Sequence, residues 1–123
     1  KKKEINDYNA CCLATSDAAG RPSARMVLMK KFDERRKLIH QGLNNLPGVT
    51  CSMPGGAFYA FPNVSGTGMN GSEFSKKCMH EAGVAIVPGT AFGKTSVDYV
   101  RFSFAASRDN IQKALEKIEK MLK

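Results

Sequence analysis

The spacing of apolar residues in the first half of residues 32–123 predicts one helix followed by two short strands. Leucine and isoleucine recur at helical spacing until Pro47 and Gly48 end the run. Residues 49–53 and the aromatic-rich residues 57–61 each predict a strand, and a Pro-Gly-Gly turn separates them. We therefore expect a helix that leads into paired strands.

The next segment predicts a second helix and a buried strand. Ser72 follows a glycine-rich loop and can cap a helix, because its hydroxyl oxygen accepts a hydrogen bond from a free backbone N–H of the first turn. Gly83 suits the end of that helix, since glycine readily adopts the left-handed conformation common there. The wholly apolar residues 84–87 then predict a short buried strand.

The last quarter of the chain has the clearest periodicity. Residues 99–104 alternate, which predicts a strand with one apolar and one polar face. Ser107 can cap a final helix, and Asp109 lies near the positive end of that helix's dipole. Apolar steps of four, three and four residues predict that one helix face packs on the core. The strand faces are Val100, Phe102 and Phe104 against Arg101 and Ser103, and the helix stripe is Ile111, Leu115, Ile118 and Leu122.

The first 31 residues fit two structures. Residues 9–16 and 25–30 could form the strands of a hairpin, because residues 17–22 are typical of a turn. The second segment also suits a helix with Pro22 in its first turn, since arginine, methionine, leucine and lysine favour helices. The pattern leaves a hairpin and a helix open.

Together these elements predict an α+β fold, with a mainly antiparallel sheet packed by helices and an N-terminal hairpin or helix extension. The chain has 123 residues, which is enough for one compact core. We divide it into an N-terminal segment, residues 1–31, and an α+β domain, residues 32–123.

Composition favours a globular protein, which we expect in the cytoplasm. The net charge of +8 raises the question of nucleic-acid binding, but the basic residues are dispersed and form no stripe with aromatic residues, so we do not expect that role. No apolar run approaches the roughly 20 residues that span a bilayer. No apolar segment follows the lysines at positions 1–3, so we expect no secretory signal.

The cysteines and histidines lack the spacing of a metal site. No C-x-x-C pair occurs, and neither histidine stands at zinc-ligand spacing from a cysteine pair. We therefore predict reduced thiols, some buried as small apolar side chains, and no metal ligand. The residues concerned are Cys11, Cys12, Cys51, Cys78, His40 and His80.

Residues 66–71 match the G-x-G-x-x-G pattern of dinucleotide-binding loops. Such a site also needs an acidic residue about 20 positions further on, where this chain has Pro88 and Gly89. We interpret the motif as a loop that enters a capped helix, and we expect no nucleotide there.

Four segments within residues 32–122 together indicate a family. They are FDERRKLIHQGLNNLPGV, PGGAFYAFPNV, EAGVAIVPGTAFG and YVRFSFAASRDNIQKALEKI. In their order and loop lengths they resemble the C-terminal small domain of class I (fold-type I) aminotransferases, which depend on pyridoxal phosphate (PLP). The resemblance implies an aminotransferase small-domain fold.

This resemblance assigns one functional residue. In the family, the arginine of the R-x-S-F strand pairs with the substrate α-carboxylate, and the corresponding residue here is Arg101. The chemistry suits the role, because a guanidinium presents a planar fork that binds both carboxylate oxygens and stays charged. The alternative is an ordinary surface arginine in a salt bridge.

The resemblance also implies that most of the family's chemistry lies elsewhere. The Schiff-base lysine, the aromatic residue stacked on the cofactor and the aspartate at the ring nitrogen belong to the family's large domain, upstream of the matched residues. We therefore expect no catalytic residue, no bound cofactor and no independent catalysis in this chain, although PLP serves the parent family.

The N-terminal part of the chain contains the segment NACCLATSDAAGRPSARMVLMKKFDER. Through this segment, residues 6–34 resemble a second family, the pyridoxamine 5′-phosphate oxidases, which bind FMN in a split barrel. In that family an R-x-V-L-x-K strand contributes to the flavin site, and its lysine touches the substrate. Because the match covers only two strands of a larger barrel, we do not expect FMN to bind. The corresponding residues are Arg25, Val27, Leu28 and Lys30.

Two resemblances that meet in the FDERR run favour a chimeric or truncated small domain without catalysis of its own. One alternative is that the chain is part of a PLP-dependent aminotransferase that transaminates amino acids. A second alternative is a flavin- or PLP-binding module. We also expect a partner, either a second copy or the missing large domain, because the family's small domain packs on both and would otherwise expose apolar surface.

Overall fold

The computed structural model describes residues 10–16, residue 19 and residues 22–123, with side chains throughout from residue 32 onward. The chain forms two compact units, Lys1–Glu34 and Arg35–Lys123. The predicted division into domains between residues 31 and 32 stays a prediction.

The first unit contains an antiparallel strand pair. Strand β1, Ala10–Ser16, pairs with strand β2, Pro22–Leu28, along their whole length. Pro22 begins its strand, a position that tolerates the missing N–H of proline. Of the two structures that the sequence left open, the hairpin forms, with strands at residues 10–16 and 22–28, but residues 29–30 of the predicted second strand belong to a helix.

Helix α1, Met29–Asn44, follows β2 directly. In the second unit this helix buries Ile39 and Leu43, and Leu46 is buried just beyond its end. The helix stops before Pro47, as the sequence predicts, because the residue preceding a proline disfavours the helical conformation.

The second unit is built on a three-stranded antiparallel sheet in the order β3-β5-β4. The strands are β3, Tyr59–Ala60, β4, Val87–Pro88, and β5, Val100–Ser103. The central strand β5 therefore has a partner on each side. The predicted α+β class with a mainly antiparallel sheet is confirmed.

Helix α2, Gly71–Lys77, begins two residues earlier than the sequence suggests. The predicted cap at Ser72 is wrong, because the side chain of Asn70 accepts hydrogen bonds from the backbone N–H groups of Ser72 and Glu73, both at 3.0 Å. The Glu73 carboxylate accepts in return from the Asn70 N–H at 3.0 Å, which completes a capping box.

A π-helical turn, Cys78–Ala82, continues α2 and ends at Gly83. Gly83 has φ of 63°, which lies in the left-handed region where a side chain would be strained. The predicted helix stop at Gly83 is confirmed.

Helix α3, Arg108–Leu122, has the predicted cap and apolar face. The Ser107 hydroxyl accepts a hydrogen bond from the Asn110 N–H at 3.3 Å, and Asp109 lies in the first turn. Ile111 and Ile118 are buried, while Leu115 and Leu122 are partly buried. The stripe therefore belongs to the core rather than to a ligand site.

The strand predicted over residues 49–53 does not form. Thr50 makes only an isolated bridge to Asn63. The Asn44 side chain accepts from the Cys51 N–H and donates to the Cys51 carbonyl, both at 2.9 Å. A side chain thus satisfies the backbone groups that a neighbouring strand would otherwise use.

The buried strand predicted over residues 84–87 is wrong except at Val87, where β4 begins, and Ala85 in this segment is exposed. The Val84 N–H donates to the Cys78 carbonyl at 3.0 Å. This hydrogen bond closes the π-helical turn at its C-terminal end. The Ser75 hydroxyl donates to the Ile86 carbonyl at 2.6 Å. Because α2 and its extension take up these backbone groups, sheet pairing starts only at Val87.

Candidate functional site

Arg101 lies at the centre of the sheet and points away from the core. Its neighbours on β5, Val100 and Phe102, are 0% and 5% exposed, and Phe104 just beyond the strand is 0% exposed. The Arg101 side chain is half-buried on the opposite face. The predicted alternation of the strand is confirmed.

Two aromatic rings contact the guanidinium of Arg101. Its central carbon lies 4.3 Å from the centre of the Tyr59 ring and 4.6 Å from the centre of the Phe92 ring. Both distances fall within the roughly 6 Å range of a cation–π interaction. The rings are 47% and 49% exposed, so they belong to the surface and not to the core.

The sheet register explains why these two rings meet Arg101. Tyr59 stands opposite Ser103, which places it diagonally from Arg101 on the same face. On the other side Val87 stands opposite Arg101, and a 3-10 turn, Gly89–Phe92, follows β4 directly. One ring therefore comes from each side of the central strand.

A second layer of rings supports the first. Phe61 packs edge-on against Phe92, with ring centres 5.9 Å apart and an interplanar angle of 80°. Phe61 also stacks on Tyr99, with centres 5.3 Å apart and an angle of 9°. We call Tyr59, Phe61, Phe92 and Tyr99 the aromatic cluster.

Gly89 lets the Phe92 turn pack against the start of β5. Its N–H donates to the Tyr99 carbonyl at 2.7 Å. A Cβ at this position would lie 2.2 Å from the Ser96 carbonyl oxygen and 2.7 Å from that of Tyr99. Both atoms belong to the backbone, so only glycine fits without displacing the turn.

The hydrogen-bond donors of Arg101 are available for a ligand. Within the part of the chain that the structure describes, its guanidinium contacts the two rings and makes no hydrogen bond or ion pair. A guanidinium carries five N–H donors in its plane and no acceptor. The arrangement therefore suits a planar anion that approaches the edge of the guanidinium, such as a carboxylate.

Arg35 anchors the backbone that follows β5. Its guanidinium donates to the carbonyls of Ala105 at 3.2 Å and Ala106 at 3.1 Å, and it lies 5.5 Å from the centre of the Phe58 ring. Phe58 itself accepts a hydrogen bond at its carbonyl from the Phe104 N–H at 2.8 Å. This arginine thus supports the ends of β3 and β5.

The two cysteines whose side chains the structure describes, Cys51 and Cys78, are buried free thiols, as the sequence predicts for some of the cysteines. The side chains of Cys11 and Cys12 lie outside the described part of the structure. Burial raises the pKa of the Cys78 thiol to about 12, with a smaller contribution from the nearby Glu81 carboxylate. Burial also raises the pKa of Cys51. Both thiols stay protonated at neutral pH and are poor nucleophiles.

The described residues hold no cluster of three or more histidine, cysteine or acidic side chains that could bind a metal ion. Over the same residues, no helix combines the length and the apolar character needed to cross a membrane.

Known proteins match this chain along most of its length. The family model for "Aminotransferase class I and II" matches residues 11–118. An aspartate aminotransferase of Pyrococcus horikoshii is 45% identical over 95 residues, which cover 77% of this chain. An aspartate aminotransferase of Pyrococcus abyssi is 43% identical in an alignment that covers 100% of this chain.

A solved structure agrees with these sequence matches. The crystal structure of an aromatic aminotransferase from Pyrococcus horikoshii matches with a TM-score of 0.72 and 43% identity, and it covers 76% of this chain. The chain belongs to the class I and II aminotransferase family.

The chain spans only a fraction of an aminotransferase. It covers 24% of the Pyrococcus horikoshii relative, 34% of the Pyrococcus abyssi relative and 25% of the solved aromatic aminotransferase. The chain thus spans about a quarter to a third of the length of these relatives.

The comparisons do not support a chimera. The aminotransferase family model starts at residue 11, well inside the segment that resembles the oxidase. The alignment with the Pyrococcus abyssi aminotransferase also takes in the whole chain. These matches favour the alternative interpretation, in which the chain is part of an aminotransferase.

The residues that the oxidase resemblance singled out do not share one strand. Arg25, Val27 and Leu28 lie in β2, but Lys30 lies in the first turn of α1. The expected continuous R-x-V-L-x-K strand is wrong at its lysine, because the helix begins at Met29. The side chains of these four residues lie outside the described part of the structure.

The aminotransferase cofactor PLP needs a lysine held in a pocket and a group that tunes its ring nitrogen. The lysines whose side chains the structure describes, residues 37–123, all lie at least partly exposed at the surface. Partial exposure does not distinguish a surface lysine from one that faces a cofactor, so the expectation that this chain binds no cofactor stays a prediction.

Tyr59 and Phe92 are the site residues that sequence reasoning missed. Both stand in segments that carry the aminotransferase resemblance, but their contact with Arg101 depends on the pairing register of three strands. The one available signal was parity, because an aromatic residue at position 59 shares a face with every second residue of a paired strand. Local periodicity cannot supply the register itself.

Proposed function

We propose that this chain is the part of a PLP-dependent aminotransferase that binds the substrate α-carboxylate through Arg101. The observation that carries the proposal is the setting of Arg101. Two rings contact its guanidinium, while its donors have no protein partner within the described residues. A structural arginine would instead use its donors as Arg35 does.

The physical chemistry of the setting supports carboxylate binding. Hydrogen bonds between a guanidinium and a carboxylate are charge-assisted, and the planar fork can make two of them in parallel. The half-buried position of Arg101 reduces screening by solvent compared with a fully exposed arginine. A bound carboxylate would thus be held in one orientation rather than attracted loosely.

The proposal leaves the bond chemistry to the rest of the enzyme. PLP, when bound, supplies the electron sink for transamination, and the lysine that holds it would come from residues outside this fragment. We further propose that the remainder of the enzyme or a second copy covers the exposed aromatic cluster. A cytoplasmic location remains part of the proposal.

A hybrid enzyme tests the proposal. Residues 35–123 would replace the matching segment of the Pyrococcus horikoshii aspartate aminotransferase, which is 45% identical over 95 residues. We expect the hybrid to transaminate, and Arg101→Gln to lower kcat/KM for the amino donor about ten- to a hundredfold. That range corresponds to the loss of a hydrogen bond to a charged group.

Arg108→Gln is the matched control, because Arg108 is an exposed arginine at the start of α3. It should leave kcat/KM within about twofold, as is usual for surface substitutions. An active hybrid in which Arg101→Gln and Arg108→Gln behave alike would contradict the assignment of Arg101.

The oxidase resemblance of residues 6–34 remains a prediction beside this proposal. The strand pairing of β1 and β2 is compatible with it, and the aminotransferase match from residue 11 argues against a separate origin. We continue to expect that the chain binds no FMN, since a flavin site needs more of the barrel than this segment provides.

A further inference from the structure

We infer that Tyr59 and Phe92 are positioning residues, which hold the guanidinium of Arg101 so that its N–H edge is presented to a carboxylate. The inference rests on the proposed function of Arg101 and adds the groups that would prepare it for binding. It concerns the affinity of the arginine for its ligand and not the stability of the fold.

The first argument is the geometry of a guanidinium. Aromatic rings attract a guanidinium through its flat faces, whereas all five N–H donors lie in its plane. The central carbon lies 4.3 and 4.6 Å from the two ring centres, and contacts through the flat faces would hold the group while its donors stay available. A carboxylate and the two rings can bind the same side chain at once.

The second argument is where the rings come from. Tyr59 belongs to β3 and Phe92 to the turn after β4, which are the segments on the two sides of the central strand. Such placement restricts movement of the Arg101 side chain towards either neighbour. Arginine has many rotamers, so ordering it before the ligand arrives lowers the entropy lost on binding.

The third argument is that neighbouring residues support an exposed ring at this position. Both rings are about half exposed, so burial does not account for their position. Phe92 is nevertheless supported by Phe61, which in turn stacks on Tyr99. The turn that carries Phe92 also packs so closely on the backbone of Ser96 and Tyr99 that position 89 has no room for a Cβ. These contacts therefore fix the position of a surface ring that packs against Arg101.

Nuclear magnetic resonance of the full 123-residue chain tests the inference. The Nε–H signal of Arg101 is assigned by its disappearance in Arg101→Lys and is followed during titration with sodium propionate at constant ionic strength. Propionate is chosen because its small aliphatic part gains little from stacking on the rings. Propionamide, which has the same shape without the charge, serves as the matched ligand control.

We expect a saturable shift of the Arg101 signal with propionate and none with propionamide. Tyr59→Leu and Phe92→Leu should each weaken propionate binding about two- to fivefold, and the double variant about tenfold, as expected for the loss of cation–π contacts. Tyr59→Phe and Phe92→Tyr keep a ring and should retain wild-type affinity. Met79→Leu changes an exposed apolar residue on the π-helical turn and should have no effect.

The possible failures are distinguishable. If the wild-type signal does not respond to propionate, or responds equally to propionamide, carboxylate binding itself is wrong and the inference falls with it. If propionate binds but both leucine variants bind equally well, only the inference is wrong. Should the leucine variants lose the fold, nuclear Overhauser contacts between the Arg101 Nε–H and both rings in the wild type decide, and their absence overturns the inference.

Discussion

The two faces of strand β5 differ in what their residues contribute. One face carries Val100 and Phe102, which are almost completely buried, and the chain continues to the equally buried Phe104. The other face carries Arg101, which is half-buried and contacts the exposed rings of Tyr59 and Phe92. Strict alternation along a strand makes this separation possible within four residues.

The comparison teaches that the core fixes the site without taking part in it. Burial of alternate residues on β5 sets the position and register of the strand, because a slip by one residue would bring Arg101 into the core. The opposite face is then free to carry side chains that burial does not require. Substitutions on the two faces should therefore affect different measurable properties.

The largest expected effect comes from the buried face. Phe104→Ala removes a fully buried ring and should lower the free energy of unfolding by about 3–5 kcal/mol, through lost burial and the cavity that remains. Urea unfolding of the full chain, followed by circular dichroism, measures this change.

Phe92→Ala is the matched control for this prediction. It removes the same ring from a position that is 49% exposed, so its cost should be about 1 kcal/mol or less, from lost ring contacts. Equal destabilisation by the two variants would show that the ring above Arg101 is part of the core, and the contrast between the faces would be wrong.

The contrast also explains what the sequence could predict. The alternation on β5, the Ser107 cap and the stripe on α3 are confirmed, since each depends on residues close together in the chain. Such local patterns predict which residues are buried and where a helix begins. The fold class followed from the order of these elements.

Predictions failed where a distant or neighbouring side chain satisfied the backbone instead. Asn44 bonds both backbone groups of Cys51, and the strand expected over residues 49–53 is absent there. Asn70 caps α2 in place of Ser72, because the helix begins two residues earlier and the Asn70 side chain accepts from the N–H groups of Ser72 and Glu73. Periodicity contains no information on which of several polar side chains completes a hydrogen bond.

The site was predictable only in part for a related reason. Arg101 was assigned from the aminotransferase resemblance, and its alternation on the strand agreed with an outward direction. The rings of Tyr59 and Phe92 reach it through pairing between β3, β5 and β4. Such contacts depend on the register of strand pairing, which cannot be read from the local pattern of a single sequence.

A smaller effect is expected from a substitution in the turn that supports the Arg101 face of the sheet. Gly89→Ala would place a Cβ 2.2 Å from the Ser96 carbonyl oxygen, so the turn that carries Phe92 must move. We expect a loss of about 1–3 kcal/mol in the free energy of unfolding, as for other overpacked positions. The contact between Phe92 and Arg101 should weaken as well, which the Arg101 Nε–H signal would report.

Gly55→Ala is the control for this change. A Cβ on Gly55 meets no atom within 4 Å, so alanine should leave stability unchanged or raise it slightly by restricting the unfolded chain. If Gly89→Ala is tolerated as well as Gly55→Ala, the close approach of the turn to β5 does not hold the Phe92 ring in place.

The smallest expected difference separates the two arginines of this region. Arg35→Met should lower the free energy of unfolding by about 1–2 kcal/mol, because the carbonyls of Ala105 and Ala106 lose a charged donor that lies within 3.2 Å. Arg101→Met should cost about 0.5 kcal/mol or nothing, since its described contacts are with exposed rings and methionine also packs on aromatic groups. Urea unfolding of both variants beside the wild type measures the difference. Equal losses would mean that Arg101 supports the fold as Arg35 does, and the site face would then be structural rather than a surface kept ready for a carboxylate.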